Sequence, residues 1–242
     1  MRVVLCFVSI VLIAISVWHL IIYRISGQSV IRDAALYTAY FKDSKLEDKL
    51  DDMSAEISFG NHVMAADWTP PPLLHIENYV SFIYITGTNI QYPVVRGENN
   101  SYYLNHSIYR EKNAHGAIFM DYRNMTPFTQ DYNTIIYGHN MRDNTMFGEL
   151  NEILNNSEKS IIHIHYDGRA TIWKVFASYM IDTESWIYDI APSNNKDYLD
   201  SVAKISESVF PEEVYQSSNI LTLSTCDVTG KYRVIVQAAR LK

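Results

Sequence analysis

The chain has 242 residues, 20 Lys+Arg against 27 Asp+Glu, a formal charge of −7, 48% hydrophobic residues and two cysteines. Two cysteines exclude a disulfide-stapled miniprotein and a Cys-rich structural zinc site. The 18 tyrosines and 13% aromatic content exclude a disordered chain, and the acidic balance argues against binding nucleic acid by general electrostatics. The length accommodates one medium domain of roughly 200 residues with an appendage, enough to bury a core without staples.

The appendage comes first. Residues 3–23 carry no formal charge and are flanked by Arg2 and Arg24. About 20 apolar residues suffice to cross a hydrocarbon core as a helix. A cleaved signal peptide has a shorter apolar stretch, roughly 7–15 residues, ending at small residues. Ser26 and Gly27 are small, but the long core and Arg24 favour an uncleaved anchor over 1–25. Trp18, His19 and Tyr23 suit one membrane interface. Flanking charge does not decide orientation, because Arg2 opposes Arg24 and Arg32. With no second apolar span, the expected orientation is N terminus inside and the remainder outside. Setting aside Arg2 and Arg24, the exported part has 18 basic against 27 acidic residues, a formal charge of −9. Its single cysteine is Cys226, because Cys6 lies in the anchor.

Residues 28–58 lack proline and glycine and repeat Lys/Asp/Glu pairs at three- and four-residue spacing, which predicts a helix with a solvated charged face. Pro70-Pro71-Pro72 is a rigid break, so 26–75 reads as a helical neck and 76–242 as the main domain. Strand signals dominate from there: 80–86, 92–95, 116–121, 134–139, 160–166, 170–181, 220–226 and 232–241 are rich in β-branched and aromatic residues. Asp167-Gly168 marks a hairpin turn. Two helices are predicted among the strands. One spans 145–154, with Met146, Leu150 and Leu154 on one face; the other spans 195–209, with Tyr198, Val202, Ile205 and Val209 on one face. The fold class is mainly β, a closed or nearly closed barrel with helical additions.

Three late residues carry chemistry. Cys226 ends the strand ILTLSTC and runs into a polar loop. A free cysteine is commonly a buried structural residue, whereas strand-end loops are where catalytic groups concentrate. His139 ends another strand-like run beside Gly138, which permits close backbone approach. Arg233 opens the next strand, and pairing of the two strands returns it to the level of Cys226. A guanidinium there favours thiolate and can donate to an oxyanion, although a surface Arg with its stem on the sheet is the ordinary alternative. His163 and His165 alternate on one strand face, and without further nearby ligands they read as a polar sheet face rather than a metal pair. No acidic cluster of the calcium-binding kind is visible.

Taken together, NSYYLNH (100–106), GAIFMDYRN (116–124), IIYGHNM (135–141), MFGEL (146–150) and LTLSTC (221–226), with Arg233 seven residues after Cys226, form a specific pattern. The sequence resembles a sortase, most closely class B, over roughly residues 30–242. The resemblance implies a membrane-anchored transpeptidase on the outside of Gram-positive cells. Its fold would be an eight-stranded β-barrel with N-terminal helices and a long helix inserted between strands 6 and 7. The implied reaction cuts a sorting pentapeptide after its Thr and holds the acyl group as a thioester. An amine of the cell-wall precursor then takes it, or a pilin lysine in a polymerase of the same family; a cysteine protease would use water. Implied catalytic residues are Cys226 as nucleophile, His139 as acid/base and Arg233 on the oxyanion. Asn100, Leu104, Tyr137, Ser224 and Asp227 would line the sorting-signal groove, with Ile187 or Tyr188 from the insertion. No cofactor is implied. Deleting residues 1–25 is expected to leave a soluble, active domain; a deletion that no longer folds, by circular dichroism, would show that the segment belongs to the core.

Overall fold

A computed structural model describes residues 9, 11–28, 76–153, 161–167, 169–182, 186–226 and 231–241. The predicted helix over 28–58 and the proline break at 70–72 lie outside these residues, apart from Gln28. Eight strands follow one another: β1 (Tyr79–Ile85), β2 (Gln91–Arg96), β3 (Ile118–Met120), β4 (Asn133–Tyr137), β5 (Ile161–Tyr166), β6 (Arg169–Asp182), β7 (Ile220–Cys226) and β8 (Tyr232–Arg240). Each of the eight apolar runs in the sequence overlaps one of them, with ends that differ by at most two residues. They close into a barrel in the order β1-β2-β3-β4-β7-β8-β6-β5, with β5 pairing back onto β1. Two pairings are parallel, β2 with β3 and β4 with β7; the rest are antiparallel. The β5–β6 hairpin turns at Asp167, whose φ of 48° is the left-handed geometry expected of that turn.

Period-two alternation builds the core. Ile162 and Ile164, Leu221 and Leu223, and Val234 and Val236 point inward around Trp173, all essentially fully buried. Ile220 and Ile235, one position out of step, face outward under a second cluster with Tyr198, Leu199, Val202, Phe210 and Val214.

Among the described residues the helix α1 (Val11–Gln28) is long and apolar enough to cross a membrane, and Leu12, Ile13, Trp18 and Leu20 on it are exposed. Its end meets the barrel domain: the Tyr23 ring lies 4.8 Å from that of His115, a buried loop residue whose Nε2 is 3.3 Å from Asp143. The helix expected over 145–154 is confined to α2 (Leu150–Ile153) within the described residues. Met146 sits at φ 55°, bridges Asn140 and donates its N–H to the Tyr92 hydroxyl, so helical pairing cannot begin there. Its apolar face nevertheless enters the core at Met146 and Leu150. The helix expected over 195–209 is α3 (Asn195–Ile205), capped by the Asn194 side chain on the N–H groups of Lys196 and Asp197. It stops early because Glu207 takes φ 50°, and Val209 is left 99% exposed. A short helix α4 (Glu212–Tyr215) follows before β7.

His163 and His165 do share one face, alternating with Ile162 and Ile164, but that face is buried, not solvated. They stand opposite Tyr84 and Phe82 on β1, and the His163 ring stacks on Tyr84 at 5.5 Å. Neither ring nitrogen of His163 has a hydrogen-bond partner among the described residues. Burial pushes His163 down to about 4. Burial, with His163 beside it, pushes His165 down to about 3. The unfolded chain therefore binds protons near pH 6.5 that the fold rejects until about pH 4. Stability from this pair is complete above pH 6.5 and is lost as the pH falls towards 4, by a few kcal/mol in order of magnitude. Thermal melts should show a falling midpoint across that window, and His163→Phe should flatten the fall; an unchanged acid slope in that variant would contradict this account.

Candidate active site

Strand register assembles the site before any loop does. Phe119 on β3 stands opposite Tyr137 on β4, and Tyr137 stands opposite Ser224 on β7. These three side chains form a row across the barrel wall and the floor of a pocket of about 280 Å³. Asn100, Leu104 and Tyr188 also line it, as do Gly138, His139, Thr225 and Arg233 at its rim. Asn100, Leu104, Tyr137, Tyr188 and Ser224, all named from the sequence, thus line one cavity. Asp227 is outside the described residues. Of the pair Ile187 and Tyr188, Tyr188 enters the pocket, whereas Ile187 is fully buried with the α3 cluster.

Cys226 is the last residue of β7, and its backbone pairs directly with that of Arg233, the second residue of β8. His139 follows β4 by two residues. Its carbonyl accepts the Phe147 N–H at 2.9 Å, and the Gly138 N–H donates to the Ser224 carbonyl at 3.2 Å, extending the β4–β7 ladder to the rim. A Cβ at Gly138 would lie 2.8 Å from the Phe147 ring and closer still to Ile118 Cδ1, so only glycine lets the chain pass here. The His139 imidazole donates from Nε2 to the Leu104 carbonyl at 2.6 Å. A carbonyl cannot donate, so Nε2 carries the proton of this bond, and Nδ1 is the ring nitrogen not engaged in it.

The segment bearing Asn100 and Leu104 is fixed locally. Asn99 Oδ1 accepts from the N–H groups of Ser101 and Tyr102 at 2.9 and 3.0 Å, starting the 3-10 turn Tyr102–Leu104. Gly116, at φ +61°, lets the following chain run against Leu104, whose carbonyl would sit 2.8 Å from any Cβ there.

Beneath the pocket lies a carboxylate that sequence reasoning did not assign. Asp121 is fully buried and accepts hydrogen bonds from Asn100 Nδ2 (3.0 Å), the Tyr137 hydroxyl (2.9 Å) and the Arg123 guanidinium (2.8 and 2.9 Å). Burial would raise its pKa, but these bonds hold the carboxyl below the usual carboxylate range. Burial and the Asp121 charge push the Tyr137 phenol up, so it stays a donor. Arg123 Nη2 also donates to the Tyr188 carbonyl at 3.0 Å, and the Tyr188 hydroxyl is hydrogen-bonded to Ser224 Oγ at 2.9 Å. The available signal was the Asp-x-Arg pair directly after the apolar strand, at Asp121 and Arg123. Phe119, Gly138 and Thr225 were likewise not foreseen as lining residues. Among the described residues no group of three or more His, Cys, Asp or Glu side chains is gathered as a metal site.

Comparison with known proteins bears on what such a rim is for. Residues 83–241 match the model of the sortase domain family. Sortase B of Listeria monocytogenes is 36% identical over 173 residues, covering 66% of this chain and 69% of that protein. Sortase B of Staphylococcus aureus is 36% identical over 158 residues, 62% of this chain and 64% of that one. Among solved structures, Clostridium perfringens sortase B superposes with a TM-score of 0.61 at 30% identity, over 68% of this chain and 94% of that chain. The Staphylococcus aureus sortase B–substrate complex superposes with a TM-score of 0.61 at 32% identity, over 68% and 80%. With the family match spanning most of the barrel domain and the relatives all sortase B, the chain belongs to the sortase family, in class B, and is a cysteine transpeptidase.

Proposed function

We propose that Cys226, His139 and Arg233 carry out acyl transfer from a C-terminal sorting peptide to an amine, and that the pocket over Phe119, Tyr137 and Ser224 holds that peptide. The observation that carries the reading is the backbone pairing of Cys226 with Arg233 beside the pocket that Arg233 and His139 line. Cys226 Sγ, as thiolate, attacks the carbonyl carbon of the Thr residue. The electron pair moves to the carbonyl oxygen, where the Arg233 guanidinium stabilises the developing charge. Collapse of this intermediate expels the peptide amine as His139 gives it a proton, leaving a thioester on Cys226. The incoming amine loses a proton to His139, attacks the thioester carbonyl and releases the thiolate. A wall-precursor amine is the acceptor in this reading. The helix α1 anchors the enzyme with its catalytic domain on the outer face of the membrane, where surface proteins bearing sorting signals and wall precursor meet.

Each of Cys226→Ala, His139→Ala and Arg233→Ala is expected to abolish or nearly abolish transfer, by at least about a hundredfold for the arginine, with an unchanged circular dichroism spectrum. Cleavage of a Thr-containing pentapeptide library in the presence of an added amine is the assay. Product joined to the amine supports the transpeptidase reading, free acid alone points to water as acceptor, and full turnover by Cys226→Ala would sink the mechanism.

A further inference from the structure

We propose that Asp121 is a positioning residue that, through Arg123, sets the spacing between the two walls of the peptide groove, an inference that rests on reading the pocket as that groove. The two walls and the floor between them come from distant parts of the chain. Asn100 stands on the loop before the Tyr102–Leu104 turn, Tyr137 on β4, and Tyr188 on the 3-10 segment Trp186–Tyr188 between β6 and α3. One buried carboxylate reaches all three. Oδ2 accepts from Asn100 Nδ2, the Tyr137 hydroxyl and Arg123 Nη2; Oδ1 accepts from the Arg123 N–H (3.0 Å) and Nε. The same Nη2 then reaches the Tyr188 carbonyl. The Asn100 amide is held from its other end as well, because its Oδ1 accepts the Tyr122 N–H at 3.0 Å.

Only an ionised carboxylate satisfies this arrangement. Five donor contacts converge on two oxygens, and a carboxamide would supply one oxygen and aim its own N–H groups at donors. Asp121 is fully buried, so water cannot substitute. Loss of the charge frees the Asn100 amide to rotate, releases the Tyr137 hydroxyl and removes the partner that aims Arg123 at Tyr188. None of these bonds involves His139 or Arg233. The consequence falls on how well the peptide is held and not on the acyl-transfer step.

The test uses the full chain in detergent, with glycinamide as acceptor and the most rapidly cut Thr-containing member of an internally quenched pentapeptide library as donor. Asp121→Asn is expected to raise KM about tenfold or more while kcat stays within about twofold, the scale of losing one charge-assisted contact. Arg123→Ala should raise KM by about fivefold, and Arg123→Lys should fall between it and the parent, because an ammonium reaches one partner but not both. The Arg123 side chain is 39% exposed, so its variants report even where Asp121→Asn does not fold. A loss confined to kcat, or an unchanged KM in Arg123→Ala, overturns the proposal. If Asn100→Ala and Tyr188→Ala raise KM while Asp121→Asn and Arg123→Ala do not, the groove reading stands and the role of Asp121 fails. If none of the four moves KM, both fall together.

Discussion

The parallel pairing of β4 with β7 is the constraint on which the site depends. Parallel strands end at the same edge of a sheet, so the C-terminal ends of two segments distant in sequence emerge side by side on one rim. His139 follows the end of β4, and Cys226 is the end of β7. β8 returns antiparallel from the same rim, so Arg233 lies at its beginning. The row Phe119–Tyr137–Ser224 follows from the same register, since a slip of one residue would turn the floor of the pocket into the core. The large apolar cluster inside the barrel holds that register by making such a slip expensive.

The insertion between β6 and β7 is held by a different kind of interaction. Asn133 donates to the carbonyls of Ile187 and Asp189 at 3.1 and 3.0 Å and accepts from Thr222 at 2.7 Å. Tyr198 on α3 donates to the Ile187 carbonyl and accepts from Gln237. Gln237 in turn donates to Thr222 and accepts from Tyr179. A buried polar network whose members are mutually satisfied specifies one arrangement where apolar packing alone would tolerate several. Carbonyls of the Trp186–Tyr188 segment are thereby fixed from the barrel side by Asn133 and from the pocket side by Arg123. This side of the pocket is therefore held in place by the fold itself, and a wall fixed in advance limits the ordering cost of binding any ligand.

What was legible in the sequence follows the reach of each force. All eight strands could be read because β-branched and aromatic runs are local signals, and the Cys-to-Arg pairing could be read because the two strands are consecutive. The failures are where a single backbone dihedral decided the outcome. Met146 and Glu207 adopt left-handed geometry that nothing in their residue type announces, and these positions shorten the two predicted helices. Val209 continues the apolar spacing of α3 and is nonetheless exposed, because the helix has already ended. The burial of His163 and His165 was hidden for another reason: alternation shows which face a residue takes, but what covers that face is a tertiary fact. Asp121 was missed because its partners, Asn100, Tyr137 and the Tyr188 carbonyl, come together only once the barrel has closed.

Geometry at the rim also separates what must be constant from what can vary. Directly opposed residues of an antiparallel pair have Cα atoms about 4.5–5.5 Å apart whatever the connecting chain does. Because Cys226 and Arg233 are such a pair, their spacing is a property of the β7–β8 ladder, which runs from Ile220↔Ala239 to this last rung. The six residues between them can therefore differ in sequence without moving the Arg233 backbone relative to that of Cys226. His139 is tied to the same frame through the Gly138 bond to Ser224, one rung along. Chemistry is thus referred to strands. The other residues lining the pocket stand partly on connecting segments, Asn100 and Leu104 on one and Tyr188 on another, and those segments can change without disturbing the rung that pairs Cys226 with Arg233.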